Sequence, residues 1–225
     1  MKNPVSPFIS AFLRSKTSLL TILSGMLNSL SLLFLGQAVS HHTGNLSKLA
    51  QGLAQKDLPL VGMMLALILC YFLGAMLSGL IFTSQQGLLS RRYGVLMVGA
   101  AFVLIFASQM LGQSLFMAPL LAMLSGIQNG MYLTYKDMLL RSTHMTGYLS
   151  DLGFLLSRII KEKGEKSERF WLVFFHLLAF VLGGVLGVLM MPQGFATSML
   201  IVGLLYLMVG AAFVYTGLMP YPKEQ

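Results

Sequence analysis

Six separate runs of predominantly apolar residues, each long enough to cross a lipid bilayer as a helix, constrain this chain more than any other feature. They are Thr17 to Val39, Leu60 to Thr83, Val95 to Gly112, Ser114 to Thr134, Phe170 to Met191 and Ala196 to Thr216. A hydrocarbon core of about 30 Å takes roughly 20 such residues, because backbone polar groups that meet no water must be satisfied inside the helix. The fold expected is all-α, a polytopic transmembrane bundle of about six helices. A soluble alternative fails on composition: the chain is 56% hydrophobic and only 10% charged, against about 25% charged in ordinary globular domains. Only Gln113 separates the third run from the fourth, and Pro192-Gln193-Gly194 separates the fifth from the sixth, so each pair reads as a tight hairpin. The longer connections are 40–59 and 135–169.

The formal charge of +8 does not point to nucleic acid, since the basic residues lie in short segments between apolar runs rather than on one face of a domain. They read as topology signals instead. With the N-terminus inside, all 15 Lys and Arg except Lys48 and Lys56 fall on the inner side. Cytoplasmic segments carry such an excess, so both termini are expected in the cytoplasm, most simply of a bacterial inner membrane. Lys2, Arg14 and Lys16 before the first run imitate a secretory signal. That run is about twice too long for one and no small-x-small cleavage site follows, so a retained first helix is expected.

Comparison of the two halves shows a recurrence. Ser24-Gly25-Met26-Leu27-Asn28 in the first run returns as Ser125-Gly126-Ile127-Gln128-Asn129 in the fourth. His41-His42-Thr43-Gly44-Asn45-Leu46-Ser47 returns as His144-Met145-Thr146-Gly147-Tyr148-Leu149-Ser150, both reading H-x-T-G-x-L-S. Leu73-Gly74-Ala75 returns as Leu182-Gly183-Gly184. Three elements in one order argue for duplication, with residues 1–112 as the first three-helix repeat and 113–225 as the second. Three passes per copy make the repeats inverted, an architecture that recurs in transporters with substrate bound where the halves meet.

The His42-Thr43-Gly44-Asn45 stretch, the Gly126-Ile127-Gln128-Asn129 motif and the segment from Thr143 to Gly153 together resemble the YoaK-like bacterial membrane proteins of unknown function. The resemblance covers nearly the whole chain and implies six helices. It implies no activity, and His42 stands where that family's pattern has Met before Thr-Gly.

Within the repeated motifs, Thr43 and Thr146 precede apolar-periodic runs and are candidate helix N-caps. The N–H groups of the turns that follow carry partial positive charge able to hold an anion. Plain capping explains Thr plus Gly, but capping has no need of the imidazoles of His41 and His144. Asn28, Gln128 and Asn129 lie within apolar runs, where an amide is costly unless it meets a partner or a wet cavity. The expected binding residues for a small polar solute are Asn28, His41, Thr43, Gly44, Asn45, Gln128, Asn129, His144, Thr146 and Gly147. His176, with no counterpart in the second run, reads as a packed histidine. Gly74, Ala75, Ser78, Gly79, Gly183, Gly184 and Gly187 form small-xxx-small patterns that let helices approach closely, either between repeats or in a homo-oligomer.

No enzyme is expected. The chain has no H-E-x-x-H pair, nucleophile elbow, phosphate loop or pair of carboxylates within a run. The lone Cys70 makes neither an internal disulfide nor a thiolate cluster. No cofactor and no metal site follow, and the bilayer is the one sure partner. Two functions are left open: a small-solute transporter or channel, leaning to an anionic or polar solute, and a noncatalytic membrane scaffold or assembly factor. Whether the two motifs share one site turns on segments 43–56 and 146–162, each long enough for a helix of about 20 to 25 Å. Re-entry into the bilayer would bring the two motifs together; interfacial helices would leave them a membrane apart.

Overall fold

A computed structural model of the chain describes residues 7–82, 91–131, 133–135, 138–161 and 168–216. The elements run α1 (Pro7–Leu35), α2 (His42–Gln55), α3 (Leu58–Ile81), α4 (Arg91–Leu111), α5 (Met117–Gly130), a hairpin of β1 (Leu133–Tyr135) and β2 (Met138–Leu140), α6 (Met145–Lys161), α7 (Glu168–Met190) and α8 (Phe195–Thr216). The architecture is all-α apart from the hairpin, whose strands pair antiparallel from Leu133 opposite Leu140 to Tyr135 opposite Met138.

Local chemistry sets the corners. Lys56 takes the left-handed conformation (φ 57°) and closes α2 by donating its N–H toward the carbonyls of its last turn. Asp57 then caps α3, accepting from the Leu60 N–H at 3.1 Å, with Pro59 in the first turn, where its missing N–H costs nothing. A 3-10 turn at Met191–Gln193 joins α7 to α8. There the Ser198 hydroxyl donates toward the carbonyls of Met190 (2.9 Å) and Gly194 (2.7 Å).

Five helical segments are long and apolar enough to span a bilayer: Thr17–Leu35, Leu58–Ile81, Arg91–Leu111, Glu168–Gln193 and Phe195–Tyr215. Their outward faces are greasy, as with Phe72 on α3, Phe106 on α4 and Val181 and Leu189 on α7, all more than half exposed. The fourth expected span departs from the reading of Ser114 to Thr134. Its helix, α5, has only 14 residues, about 21 Å at 1.5 Å per residue, and so falls short of a hydrocarbon core. The chain leaves the helix after Gly130 and its apolar residues pair as β1 instead, which a hydropathy window does not register.

Three helix pairs build the bundle: α1 with α7, α3 with α5, and α4 with α8. Glycines set their direction. A Cβ on Gly183 would strike the Ile22 backbone and one on Gly187 would lie 2.9 Å from the Met26 carbonyl oxygen, so α1 and α7 run parallel. Gly74 faces Met123 while Gly130 faces Ala75 and Ser78, so α3 and α5 are parallel too. Gly94 faces Gly210 and Val214 whereas Gly203 faces Ile105, making α4 and α8 antiparallel. The small-residue faces read from the sequence are thus consumed by contacts inside the chain, Gly79 excepted, which has nothing within 4 Å.

Candidate functional site

Each repeated motif is preceded by a helix-borne asparagine that holds the returning chain. Asn28 Oδ1 accepts from the Ser40 N–H (3.2 Å) and the Ser40 hydroxyl (2.8 Å), which folds residues 36–41 down beside α1. Asn129 Oδ1 does the same for the Thr143 N–H (3.3 Å), and its Nδ2 donates to the Tyr71 hydroxyl at 2.6 Å. These amides find their partners in the returning backbone, which is how a costly polar group is accommodated between helices.

The helices that follow start deep in the bundle. His42, the first residue of α2, sets its ring against that of Tyr71, tilted by 44° with centroids 4.0 Å apart, and Tyr71 lies near the middle of α3. From there α2 packs back along the first half of α3, Gly52 reaching Leu60 and Val61. In the same way α6 packs along α7, with Tyr148 edge-on to His176. Helices α3 and α7 run oppositely, because α3 is parallel to α5, α4 is antiparallel to α8, and the short turns between α4 and α5 and between α7 and α8 reverse the chain. So α2 and α6 diverge from a common region toward opposite ends of the bundle, both presenting their N-terminal ends to it.

That region is a cavity of about 180 Å³. One wall is Ser40, His41, His42 and Thr43, the other Thr143, His144, Met145 and Thr146, with Tyr71 and Asn129 between them. Of the ten residues expected to bind, His41, Thr43, Asn129, His144 and Thr146 line it; His41, Thr43, His144 and Thr146 are exposed at its rim. The other five stand behind or beside it. Asn28 holds Ser40 in place. Asn45, only 2% exposed, donates to the Ala38 carbonyl at 3.0 Å and so pins the returning strand.

Gly44 and Gly147 make room. A Cβ on Gly44 would lie 2.7 Å from His41 Cδ2, and one on Gly147 would collide with the His144 ring. This corrects the capping assignment. Thr43 and Thr146 sit inside the first turn rather than before it, and α2 has His41 at the N-cap with no side-chain cap bond. The motif's logic is an imidazole folded over the glycine of the next turn, with Thr exposed beside it. Ser47 and Ser150 close the pattern by donating to the carbonyls of Thr43 (3.1 Å) and Thr146 (3.2 Å).

Gln128 faces away from the cavity. Its Nε2 lies 2.8 Å from both the Leu20 carbonyl and Ser24 Oγ, and its Oε1 accepts from the Tyr206 hydroxyl. It thereby ties α1, α5 and α8 together. At about 0.6 kcal/mol per interhelical bond in membranes, Gln128→Leu is expected to lower stability by about 2 kcal/mol while leaving the cavity lining intact. Denaturant titration in detergent micelles checks this, and a variant as stable as the parent would remove Gln128 from the framework.

Sequence reasoning missed Tyr71, the platform between the two walls. Its signal was a single hydroxylated aromatic in the middle of an apolar run. His42 fits its own corner as a neutral ring, with Nε2 3.2 Å from the Val39 carbonyl and Nδ1 3.5 Å from Asn45 Nδ2. Among the described residues no three His, Cys, Asp or Glu side chains group closely enough to hold a metal ion. Chemically, the cavity offers imidazoles, hydroxyls and the partial positive charge of two helix starts, with no carboxylate in its lining.

The fold and cavity together define a multi-pass membrane protein with a polar pocket inside an apolar bundle. The family model described as "Protein of unknown function (DUF1275)" matches residues 17–212, and the chain belongs to that family. No curated protein and no solved structure matches it.

Proposed function

We propose that the chain is a small-solute transporter or channel, passing an anionic or polar solute through the cavity at the start of α2 and α6. The carrying observation is that two polar motifs far apart in sequence line one cavity in the middle of an apolar bundle. Binding at the ends of broken helices, midway between inverted halves, is how many secondary transporters hold solutes.

On this reading residues 1–112 and 113–225 are inverted copies. The contacts support it, because they survive exchange of the halves. Gly25 meets Phe180 and Gly184, as Gly126 meets Tyr71 and Ala75. Asn28 holds Ser40 as Asn129 holds Thr143. The α4–α8 pair maps onto itself, Gly94 meeting Val214 and Gly210 meeting Val98. Helices α2 and α6 are then re-entrant rather than interfacial, and α5 is a shortened pass completed by the returning chain. The host is a bacterial inner membrane, as the YoaK-like resemblance and the distribution of Lys and Arg suggest, with both termini cytoplasmic and no enzymatic step.

Uptake into proteoliposomes, or solid-supported-membrane currents over a panel of small anions and neutral polar solutes, tests the function. Saturable flux is expected; a folded protein silent to the whole panel would favour the scaffold. Orientation is tested separately with Cys70 replaced and single cysteines at Lys56 and Lys161. An impermeant maleimide added outside cells is expected to label the first and spare the second. Labelling of both from one side would end the inverted arrangement.

A further inference from the structure

Two consecutive pairs of residues face opposite ways. Asn129 and Thr143 line the central cavity, while Gln128 and Ser142 line a second one of about 10 Å³, walled also by Thr21, Met131, Arg141 and His176. His176 is 1% exposed and its Nδ1 lies 2.8 Å from the Leu172 carbonyl. A carbonyl only accepts, so Nδ1 carries the ring proton and Nε2 of the neutral ring is an acceptor. That Nε2 is buried without a hydrogen-bond partner, and so is Ser142 Oγ. Gln128 cannot donate to either of them, both hydrogens of its amide nitrogen being spent on Leu20 and Ser24. Two orphaned polar atoms around a space the size of one water call for a small donor between them.

We propose that Ser142 and His176 form a second polar site, holding one water-sized hydrogen-bond donor just beyond the central cavity on the side where α1 and α7 begin. The opposite side is built differently. In the register that aligns Gly25 with Gly126, His41 with His144 and Gly74 with Gly183, the counterparts of Thr21, Gln128, Ser142 and His176 are Ala122, Leu27, Val39 and Leu67. All four are buried and apolar, none more than 1% exposed. At these four positions the two halves are therefore unlike, polar toward one face and apolar toward the other. That the two sides belong to a permeation route rests on the transport reading above; the hydration of the Ser142–His176 site does not.

Hydroxyl-radical labelling by brief X-ray radiolysis, on the full chain in lipid nanodiscs, separates the two. Radicals form from water, so a buried methionine is oxidised only where water is held beside it. Met131 lines the second cavity and is 2% exposed; Met64, one turn from Leu67 on the apolar side, is 0% exposed. Met131 is expected to oxidise several-fold faster than Met64. His176→Leu should bring the two rates together, and His176→Gln, which keeps an acceptor, should preserve the difference. Equal protection of Met131 and Met64 in the parent chain would overturn the site, whatever the chain transports. Fast labelling of Met131 in a protein that moves no solute would uphold the site and count against transport alone.

Discussion

Adding one methyl group at Gly126 is expected to destabilise the protein by about 1 to 3 kcal/mol, the usual range for forcing extra volume into packed side chains and backbone. The Cβ of Gly126→Ala would fall on the Tyr71 carbonyl oxygen, with the Ala75 nitrogen at 3.1 Å. Neither is the flexible end of a side chain, so α3 and α5 must separate as units. Helix α5, with 14 residues, has little length over which to absorb the shift. The consequence reaches the cavity, because Asn129 on the same helix bridges Tyr71 and Thr143. Gly79→Ala is the control: nothing lies within 4 Å of its added Cβ, and the gain in helix propensity should leave it neutral or stabilised by less than about 1 kcal/mol. Unfolding in mixed micelles, read by tryptophan emission or circular dichroism, compares the two. Equal stability of the two variants would show that the α3–α5 approach is looser than described.

How much of this was legible beforehand depends on the range of the interaction. Helix existence and location follow from local hydropathy, and the expected segments 43–56 and 146–162 lie within a residue of α2 and α6. The expected fourth span overextends because Met131 to Thr134 are apolar or β-prone enough to pass a hydropathy window. What ends α5 is Asn129 turning to Thr143, a contact 14 residues away. Within the motif, the threonines read as caps, because capping is a common use of Thr before a helix. The reason for the following glycine, an imidazole folded over it, is visible only once the ring has a position. Asn28 and Gln128 carry the right signal, that a polar group there needs a partner, but pattern alone cannot say whether the partner is solute or protein. The recurrence of motifs was the informative part, because two stretches repeated in order tend to occupy related places in a bundle.

That relation makes the strongest functional expectation one of symmetry. If the cavity holds solute, His41 and His144 approach it from opposite walls, each folded over its own glycine. Removing either imidazole should then weaken binding by a comparable amount. Loss of one hydrogen bond to a charged solute costs about 1.5 to 3 kcal/mol, which is roughly ten- to a hundredfold in Kd. His41→Ala and His144→Ala are therefore both expected to raise the Kd, or the half-saturating concentration for flux, within that range. Lys48→Ala, exposed on α2 and outside the lining, should leave it unchanged. Thr43→Val and Thr146→Val, which remove a neutral hydroxyl at the rim, should show the same pairing with smaller losses, about five- to tenfold. Isothermal titration on detergent-solubilised protein, or concentration-dependent uptake once a solute has been found, supplies the numbers. A deficit confined to one member of each pair would mean that solute touches one wall only. In that case the second H-x-T-G motif serves to seat α2 or α6 against its neighbour, and the site would shrink to one half of the cavity.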